Sequence, residues 1–285
     1  MNKVITCIDG SNFTDAVCNA GIWAADKLSA PLVFLHAIEK DRKVHNENLS
    51  GAIGFGAKSA LLEQMTELDE QHSKLALQLG KELLEHAQQR AITKGHDQVE
   101  STQRHGTITD AICDLETDAR LIVLGRCGQG DSASFKALGS HIEHVIRQVH
   151  TPVLIANQDF IQPKSFLLCY DGRETADKAL QRIVEGGLLK GLKCHLVTVK
   201  NNQDDQYSKF KAAETLLLEH GFDVEASYLT GDIFEILITY KQSYAVDMVV
   251  IGAFSHSKFR QVLLGSNTMK MIENSQLPLL VLRYG

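Results

Sequence analysis

The sequence predicts an α/β fold built from two similar domains in tandem, each a five-stranded parallel sheet flanked by helices. Short apolar runs alternate along the 285 residues with segments whose apolar residues recur at helical spacing, and this alternation is typical of a parallel sheet covered on both faces. An internal repeat is the second observation. The length is the third, because it suits two domains of about 140 residues. We place the domains at residues 1–158 and 165–285, with a short linker between them.

The internal repeat defines the two copies. The N-terminal segment VITCIDGSNFTDA returns as FLLCYDGRETADKA, so that Asp9 corresponds to Asp171 at an offset of 162 residues. Near the end of each copy Gly139-Ser140 corresponds to Gly265-Ser266 at an offset of 126 residues. The smaller second offset predicts an insertion in the first copy, with a long second helix, near residues 39–75.

Each element of the first copy follows from a local pattern. Strands are predicted at the apolar runs 4–8, 32–37, 99–103, 121–124 and 151–156. Helices are predicted from residue 14 or 15, where Thr14 or Asp15 can cap, and at 60–93, 107–115 and 140–149. The second copy repeats this order with a shorter second helix, about 207–220, which Gly221 can end.

The inserted segment has two interpretations. Residues 39–60 are polar and then glycine-rich, which predicts a loop before the long helix. Loop and helix together could cover the end of the sheet as a lid or a second pocket. The simpler interpretation, which we prefer, is a helix that is only lengthened on the outside of the domain.

Composition excludes several classes of protein. The net charge is −6, with no basic block and no apolar run of the roughly 20 residues that a membrane helix needs, so we expect neither a nucleic-acid nor a membrane partner. The N-terminus carries no leader pattern, and the six cysteines are sparse and form no Cys-x-x-Cys pair. These features predict a cytoplasmic protein with reduced thiols. No metal-ligand spacing occurs among the twelve histidines, and His36 reads as a core residue with a hydrogen-bonded ring.

Glycine-bearing loops after the fourth strand of each copy are the candidate functional segments. In the second copy Gly252 and Ser255 follow an apolar run, Lys258 and Arg260 lie in the loop, and Gly265-Ser266 opens a predicted helix. Free N–H groups and the helix dipole make such a succession suitable for an anion. In a parallel sheet these loops lie at the carboxyl ends of the strands, where Asp9 and Asp171 also fall.

At these residues the sequence resembles the universal stress protein family in its tandem two-domain form. The family has an aspartate after the first strand and the pattern G-x2-G-x9-G-[S/T] after the fourth, as in GRCGQGDSASFKALGSHIEHVI and GAFSHSKFRQVLLGSNTMKMI. The resemblance implies Rossmann-like (adenine nucleotide alpha hydrolase-like) domains that bind ATP, AMP or ADP, with or without Mg²⁺. It also implies a role in stress response, domains that meet through their last strands as an internal pseudo-dimer, and a chain that can form homodimers.

The resemblance also implies which residues of this sequence bind the nucleotide. In the first copy the implied nucleotide-binding residues are Asp9, Ala37, Gly125, Gly128, Gly139 and Ser140, and in the second they are Asp171, Val199, Gly252, Ser255, Lys258, Gly265 and Ser266. The aspartates would contact the adenosine part, or would only form an Asx turn. Ala37 and Val199 would offer main-chain contacts to adenine while their side chains pack.

Both copies depart from the family pattern. Ten residues instead of nine separate Gly128 from Gly139, in a loop that also holds Asp131. The second copy keeps the nine-residue spacing and two cations but has Ser255 in place of the second glycine, and we prefer it slightly as the binding copy. No P-loop, Gly-x-Ser-x-Gly or His-Glu-x-x-His motif is present, so no dedicated catalysis is expected. The alternatives are a protein-interaction or small-ligand module whose loops are structural, and a slow ATPase.

Overall fold

The described residues of the first copy form five strands and four helices in the predicted order. In a computed structural model of the chain, residues 2–39, 55–126, 140–200, 205–253 and 277–283 are described. The elements are β1 (Lys3–Cys7), α1 (Thr14–Leu28), β2 (Leu32–Ile38), α2 (Phe55–Thr93), β3 (Val99–His105), α3 (Ile108–Leu115), a short 3-10 helix (Glu116–Asp118), β4 (Ala119–Gly125), α4 (Ser140–Gln148) and β5 (Val153–Ala156).

The second copy repeats this order. Its described elements are β6 (Ser165–Cys169), α5 (Glu174–Gly186), β7 (Lys193–Val199), α6 (Gln206–Glu219), β8 (Asp223–Leu229), α7 (Ile233–Ser243), β9 (Met248–Ala253) and β10 (Leu279–Arg283). The helix predicted to open at Gly265 lies outside the described residues.

All ten strands belong to one sheet, in the order β3-β2-β1-β4-β5-β10-β9-β6-β7-β8. Pairing is parallel within each copy, which confirms the predicted five-stranded parallel arrangement. The copies join through antiparallel pairing of β5 with β10, in which Leu279 faces Ile155 and Val281 faces Val153. The expectation that the copies meet through their last strands is therefore correct.

Helices cover both faces of the sheet. Along β4, Leu121 and Val123 belong to the apolar layer beneath α1, α2, α5 and α6, while Ile122 and Leu124 belong to the layer beneath α3, α4 and α7. Side chains of successive strand residues point to opposite faces, so a strand covered on both sides needs apolar residues at every position. This need explains why the central strands appear in the sequence as continuous apolar runs.

Two predicted helix starts differ from the structure. Helix α1 has no side-chain cap from Thr14 or Asp15; instead the Thr14 N–H donates to the Ser11 carbonyl at 3.0 Å, so a turn leads the chain into the helix. Helix α2 begins at Phe55, five residues before the predicted start at residue 60. One glycine inside a helix costs only about 1 kcal/mol, which the good helix formers around Gly56 offset.

The first part of α2 extends away from the sheet. Between Glu63 and Leu79 only Met65 and Ala76 are half-buried, and the other side chains are exposed. Burial begins at Gly80 and continues through Leu84, Ala87 and Ala91. Residues 40–54 lie outside the described part of the chain, so the lid and the lengthened helix both stay open as interpretations of the insertion.

Candidate functional site

The two aspartates that recur in the repeat, Asp9 and Asp171, form the same turn at equivalent places. Asp9 follows β1 and accepts the N–H of Ser11 through Oδ1 at 3.0 Å. Asp171 follows β6 and accepts the N–H of Arg173 through Oδ1 at 3.0 Å. The glycine after each aspartate has a φ of +75° or +77°, a conformation that favours glycine. The Asx-turn interpretation is therefore confirmed in both copies, and it leaves a contact with a ligand untested.

A second pair of equivalent contacts fixes the end of the first strand in each copy. His36 of β2 contacts the Ile8 carbonyl through Nδ1 at 2.9 Å. At the equivalent place the Thr198 hydroxyl of β7 donates to the Tyr170 carbonyl at 2.8 Å. The predicted hydrogen bond of the His36 ring is confirmed, whereas the predicted core position is wrong, because His36 near the end of β2 is only half-buried.

The main chain at Val199 is already occupied in the second copy. The Tyr170 N–H donates to the Val197 carbonyl at 3.0 Å. Backbone carbonyls of alternate strand residues point to the same side, so the Val199 carbonyl also points over the end of β6. There the Gln206 carboxamide donates to the Val199 carbonyl at 3.1 Å and to the Asp171 carbonyl at 3.3 Å.

Gln206 is held firmly in this position. Its side chain is fully buried at the start of α6, and the Tyr228 hydroxyl donates to its Oε1 at 3.0 Å. Both ends of the carboxamide are thus hydrogen-bonded, as a buried amide requires. Sequence reasoning missed Gln206, because a glutamine at the first position of a helix looks like an ordinary surface residue.

The equivalent main chain in the first copy has no such contact from a described side chain. The Ile8 N–H donates to the Leu35 carbonyl at 2.9 Å, so by the same alternation the Ala37 carbonyl points over the end of β1 toward Asp9. Within the described ranges no side chain is hydrogen-bonded to the Ala37 carbonyl. In their described residues the two copies therefore differ at the place where the family resemblance implies contacts to adenine.

The loop residues are only partly covered by the structure. Gly125 ends β4, and Gly252 lies in β9. A Cβ on Gly252 would come within 3.1 Å of the Ala179 Cβ and 3.2 Å of the Thr175 carbonyl oxygen, so α5 packs closely against this glycine. Gly128, Gly139, Ser255, Lys258, Gly265 and Ser266 lie outside the described residues, as does the side chain of Ser140, which begins α4.

Burial keeps the ionisable groups beside the aspartates neutral. Burial, with a smaller contribution from Asp171, raises the pKa of the Cys169 thiol to about 12, and burial with Asp9 raises the pKa of Cys7 further. Burial and a hydrogen bond to Asp177 raise the pKa of the Tyr170 phenol above its usual range. These groups are therefore protonated at neutral pH, and neither cysteine offers a thiolate nucleophile.

Metal-binding and membrane-spanning features are absent from the described part of the chain. Among these residues no three or more His, Cys, Asp or Glu side chains are placed to hold a metal ion. None of the described helices combines the length and the apolar character needed to cross a membrane.

Comparison with known proteins identifies the family. The family model described as the universal stress protein family matches residues 1–157 and again 163–283. The universal stress protein Slr1230 of Synechocystis sp. is 32% identical over 287 residues, which cover 99% of this chain and 100% of that protein.

Solved structures show the same fold. A universal stress protein from Archaeoglobus fulgidus superposes with a TM-score of 0.70 at 19% identity, covering 100% of this chain and 99% of the other. The protein PA1789 from Pseudomonas aeruginosa superposes with a TM-score of 0.64 at 14% identity, covering 99% and 92%. The chain therefore belongs to the universal stress protein family and carries two of the family's domains in tandem.

Proposed function

We propose that the protein binds an adenine nucleotide (ATP, or AMP or ADP) in the cytoplasm and acts as a nucleotide-responsive stress protein without dedicated catalysis. The observation that carries the proposal is the Ala37 carbonyl, which no described side chain contacts, near Asp9 at the carboxyl ends of two neighbouring parallel strands. In open α/β sheets ligands bind at such ends. A carboxylate there can accept the hydroxyl groups of a ribose, and a main-chain carbonyl can accept an N–H group at the edge of a base.

We assign the adenosine part to the first copy because of Gln206. For adenine to contact the Val199 carbonyl, the Gln206 carboxamide would have to leave two carbonyls and the Tyr228 hydroxyl. Leaving buried polar groups unsatisfied costs about 1–3 kcal/mol, which weakens binding by about 5- to 150-fold. In the first copy the Ala37 carbonyl carries no such side-chain contact within the described ranges.

The phosphates are assigned to the glycine loops. In the first copy Gly125, Gly128 and Gly139 with Ser140 would surround them, next to the N-terminus of α4, whose free N–H groups favour an anion. In the second copy Gly252, Ser255, Lys258, Gly265 and Ser266 form the corresponding set. Its nine-residue spacing and its two cations favour phosphate, so we propose it as a weaker site that is limited by Gln206. Mg²⁺ would bind through the phosphates.

Calorimetry with ATP and AMP on a matched pair of variants tests the proposal. Asparagine at position 9 keeps an oxygen for the Ser11 N–H, so Asp9→Asn preserves the turn while it removes the charge and one acceptor oxygen. A hydrogen bond to a charged group contributes about 1.5–3 kcal/mol, so we expect Asp9→Asn to weaken binding by about tenfold or more. The control Asp171→Asn makes the same change in the second copy and should leave the affinity nearly unchanged.

Two outcomes would contradict the proposal at different levels. Weakening in Asp171→Asn with no change in Asp9→Asn would reverse the assignment of the two copies and keep nucleotide binding. Absence of heat with every adenine nucleotide would overturn nucleotide binding itself and favour the interaction module. A steady release of phosphate from ATP faster than slow background hydrolysis would contradict the absence of dedicated catalysis.

A further inference from the structure

A cavity of about 290 Å³ lies where the two copies meet, and neither Asp9 nor Asp171 is among its lining residues. Residues of both copies line it, among them Leu28, Arg120 and Leu121 from the first and Arg182, Gly186 and Leu280 from the second. Leu121 and Leu280 belong to β4 and β10 and are buried. The cavity therefore has apolar walls formed by the central strands and by the ends of α1 and α5.

Arg120 brings a positive charge to this cavity in a fixed orientation. Its Nη1 donates to the Leu28 carbonyl at 3.2 Å and its Nη2 to the Gly186 carbonyl at 3.0 Å, so it joins the C-terminal ends of α1 and α5. A guanidinium group has five N–H donors. The two carbonyls use two of them, and three can donate to a further acceptor.

Other charges at the junction add to the positive potential. Arg182 lines the cavity and donates through Nη1 to the His150 carbonyl at 3.2 Å. Lys27 reaches across the junction to the Lys190 carbonyl at 3.3 Å. Glu185 is the acidic residue of the lining, and its Oε1 accepts from the Gln181 amide at 2.7 Å. The lining side chains thus carry one net positive charge.

Shape and charge together define the kind of ligand. Arginine forms strong, planar hydrogen bonds with carboxylates, and the apolar walls suit a hydrocarbon body. A water molecule occupies roughly 30 Å³ in the liquid. If each non-hydrogen atom of a ligand takes about the same space, the cavity volume of about 290 Å³ corresponds to about nine or ten such atoms. We propose that this cavity binds a small organic monocarboxylate with an apolar body, whose carboxylate contacts Arg182 and Arg120 and whose body lies against Leu121 and Leu280.

Octanoate is the probe for the test, with acetate and octanol as matched probes that lack the apolar body or the charge. Calorimetry on the full chain should show one octanoate bound per chain with a dissociation constant below about 1 mM, and weaker binding of both matched probes. Arg182→Met keeps a long side chain and removes the charge, so it should weaken octanoate binding at least tenfold. Arg104→Met removes an arginine that lies outside the cavity, beside Asp114, and should leave binding unchanged.

A second variant blocks the cavity without removing charge. A Cβ on Gly186 meets no atom within 4 Å, so Gly186→Leu should fold and abolish octanoate binding. Failure of the wild-type chain to bind octanoate at millimolar concentration would overturn the proposal. Equal affinity for octanol, or unchanged binding in Arg182→Met, would overturn the assignment of a carboxylate. Asp9→Asn should not alter octanoate binding, so this test is independent of nucleotide binding.

Discussion

Replacing Gly21 by alanine is expected to destabilise the protein, although alanine is the better helix former. Gly21 lies in the middle of α1, against Thr6 of β1, which is fully buried. A Cβ at position 21 would lie 2.2 Å from the Thr6 Oγ1, 2.8 Å from its Cγ2 and 3.0 Å from its Cβ. A β-branched side chain is restricted in χ1, and Thr6 is fully buried, so it cannot move aside easily and helix and strand would have to separate.

The magnitude follows from two opposing terms. Inserting a methyl group into a close-packed core costs about 1–3 kcal/mol, and the contacts at Gly21 are short enough for the upper part of that range. Against this cost, the higher helix propensity of alanine stabilises the helix by about 0.8–1.0 kcal/mol relative to glycine. The expected net loss in the free energy of unfolding is therefore about 1–2 kcal/mol.

Urea unfolding followed by tryptophan fluorescence measures this loss. Trp23 is the single tryptophan of the chain and lies buried in α1, with its ring 5.8 Å from that of Phe160. Gly186→Ala is the matched control, because it is also a helical glycine but has open space around a Cβ, and it should be neutral or stabilising by up to about 1 kcal/mol.

A double variant identifies the cause. Thr6→Ala removes the two nearest atoms, Oγ1 and Cγ2, and leaves only the Cβ at 3.0 Å, so Gly21→Ala should cost at least about 1 kcal/mol less in that background than in the wild type. A Gly21→Ala protein as stable as the wild type would refute the reasoning. So would a loss that is unchanged by Thr6→Ala.

Three further predictions concern the second copy. Gln206→Ala should expose the Val199 carbonyl and raise the amount of adenine nucleotide bound per chain in calorimetry; unchanged stoichiometry would contradict its blocking role. Burial lowers the pKa of His195 below its usual value of about 6.5, against the opposing effect of Glu225. The unfolded chain therefore binds more protons, and the stability present above pH 6.5 should be lost as the pH falls through the lowered pKa of the folded state. In His195→Phe the urea midpoint should depend less on pH between pH 7.5 and 5. An unchanged pH dependence of the midpoint would count against this explanation. Asp247→Ala should cost about 1–3 kcal/mol in urea unfolding, because Oδ2 of Asp247 accepts the N–H groups of residues 164 and 165 at 2.9 and 3.0 Å; Asp247→Asn should recover part of the loss.

The sequence predicts the sheet well because buried parallel strands leave a direct signal. A strand such as β4 has to be apolar on both faces, and the repeat then transfers each assignment from one copy to the other. Pairing of the last strands follows from the family resemblance and is confirmed by the contacts of β5 with β10. The domain boundaries at 158 and 165 stay predictions, because the ten strands form one continuous sheet.

The candidate site is less predictable, because the two copies differ there in side chains, such as Gln206, that have no counterpart in the repeat. Gln206 follows the second strand of the second copy, where the insertion in the first copy interrupts the correspondence. No offset therefore points to it, and its burial depends on Tyr228, which comes from another strand. The prediction of a side-chain cap for α1 is wrong for a related reason. Asp9 and Ser11 form consecutive turns that lead into the helix, and the capping preferences of single residues do not indicate such turns.

The antiparallel joint constrains how the two copies can influence each other. Because β5 and β10 run in opposite directions, the carboxyl ends of the two parallel halves face opposite edges of the sheet, and a single nucleotide cannot contact both. In the described part of the chain the copies contact each other at this joint, so coupling between them is expected to pass through it. There Arg120 holds the ends of α1 and α5 together, and these helices begin just after Asp9 and Asp171. A ligand in the cavity at Arg120 would therefore act on the two helices that lead back to both candidate sites, which makes this arginine the residue through which coupling is most directly tested.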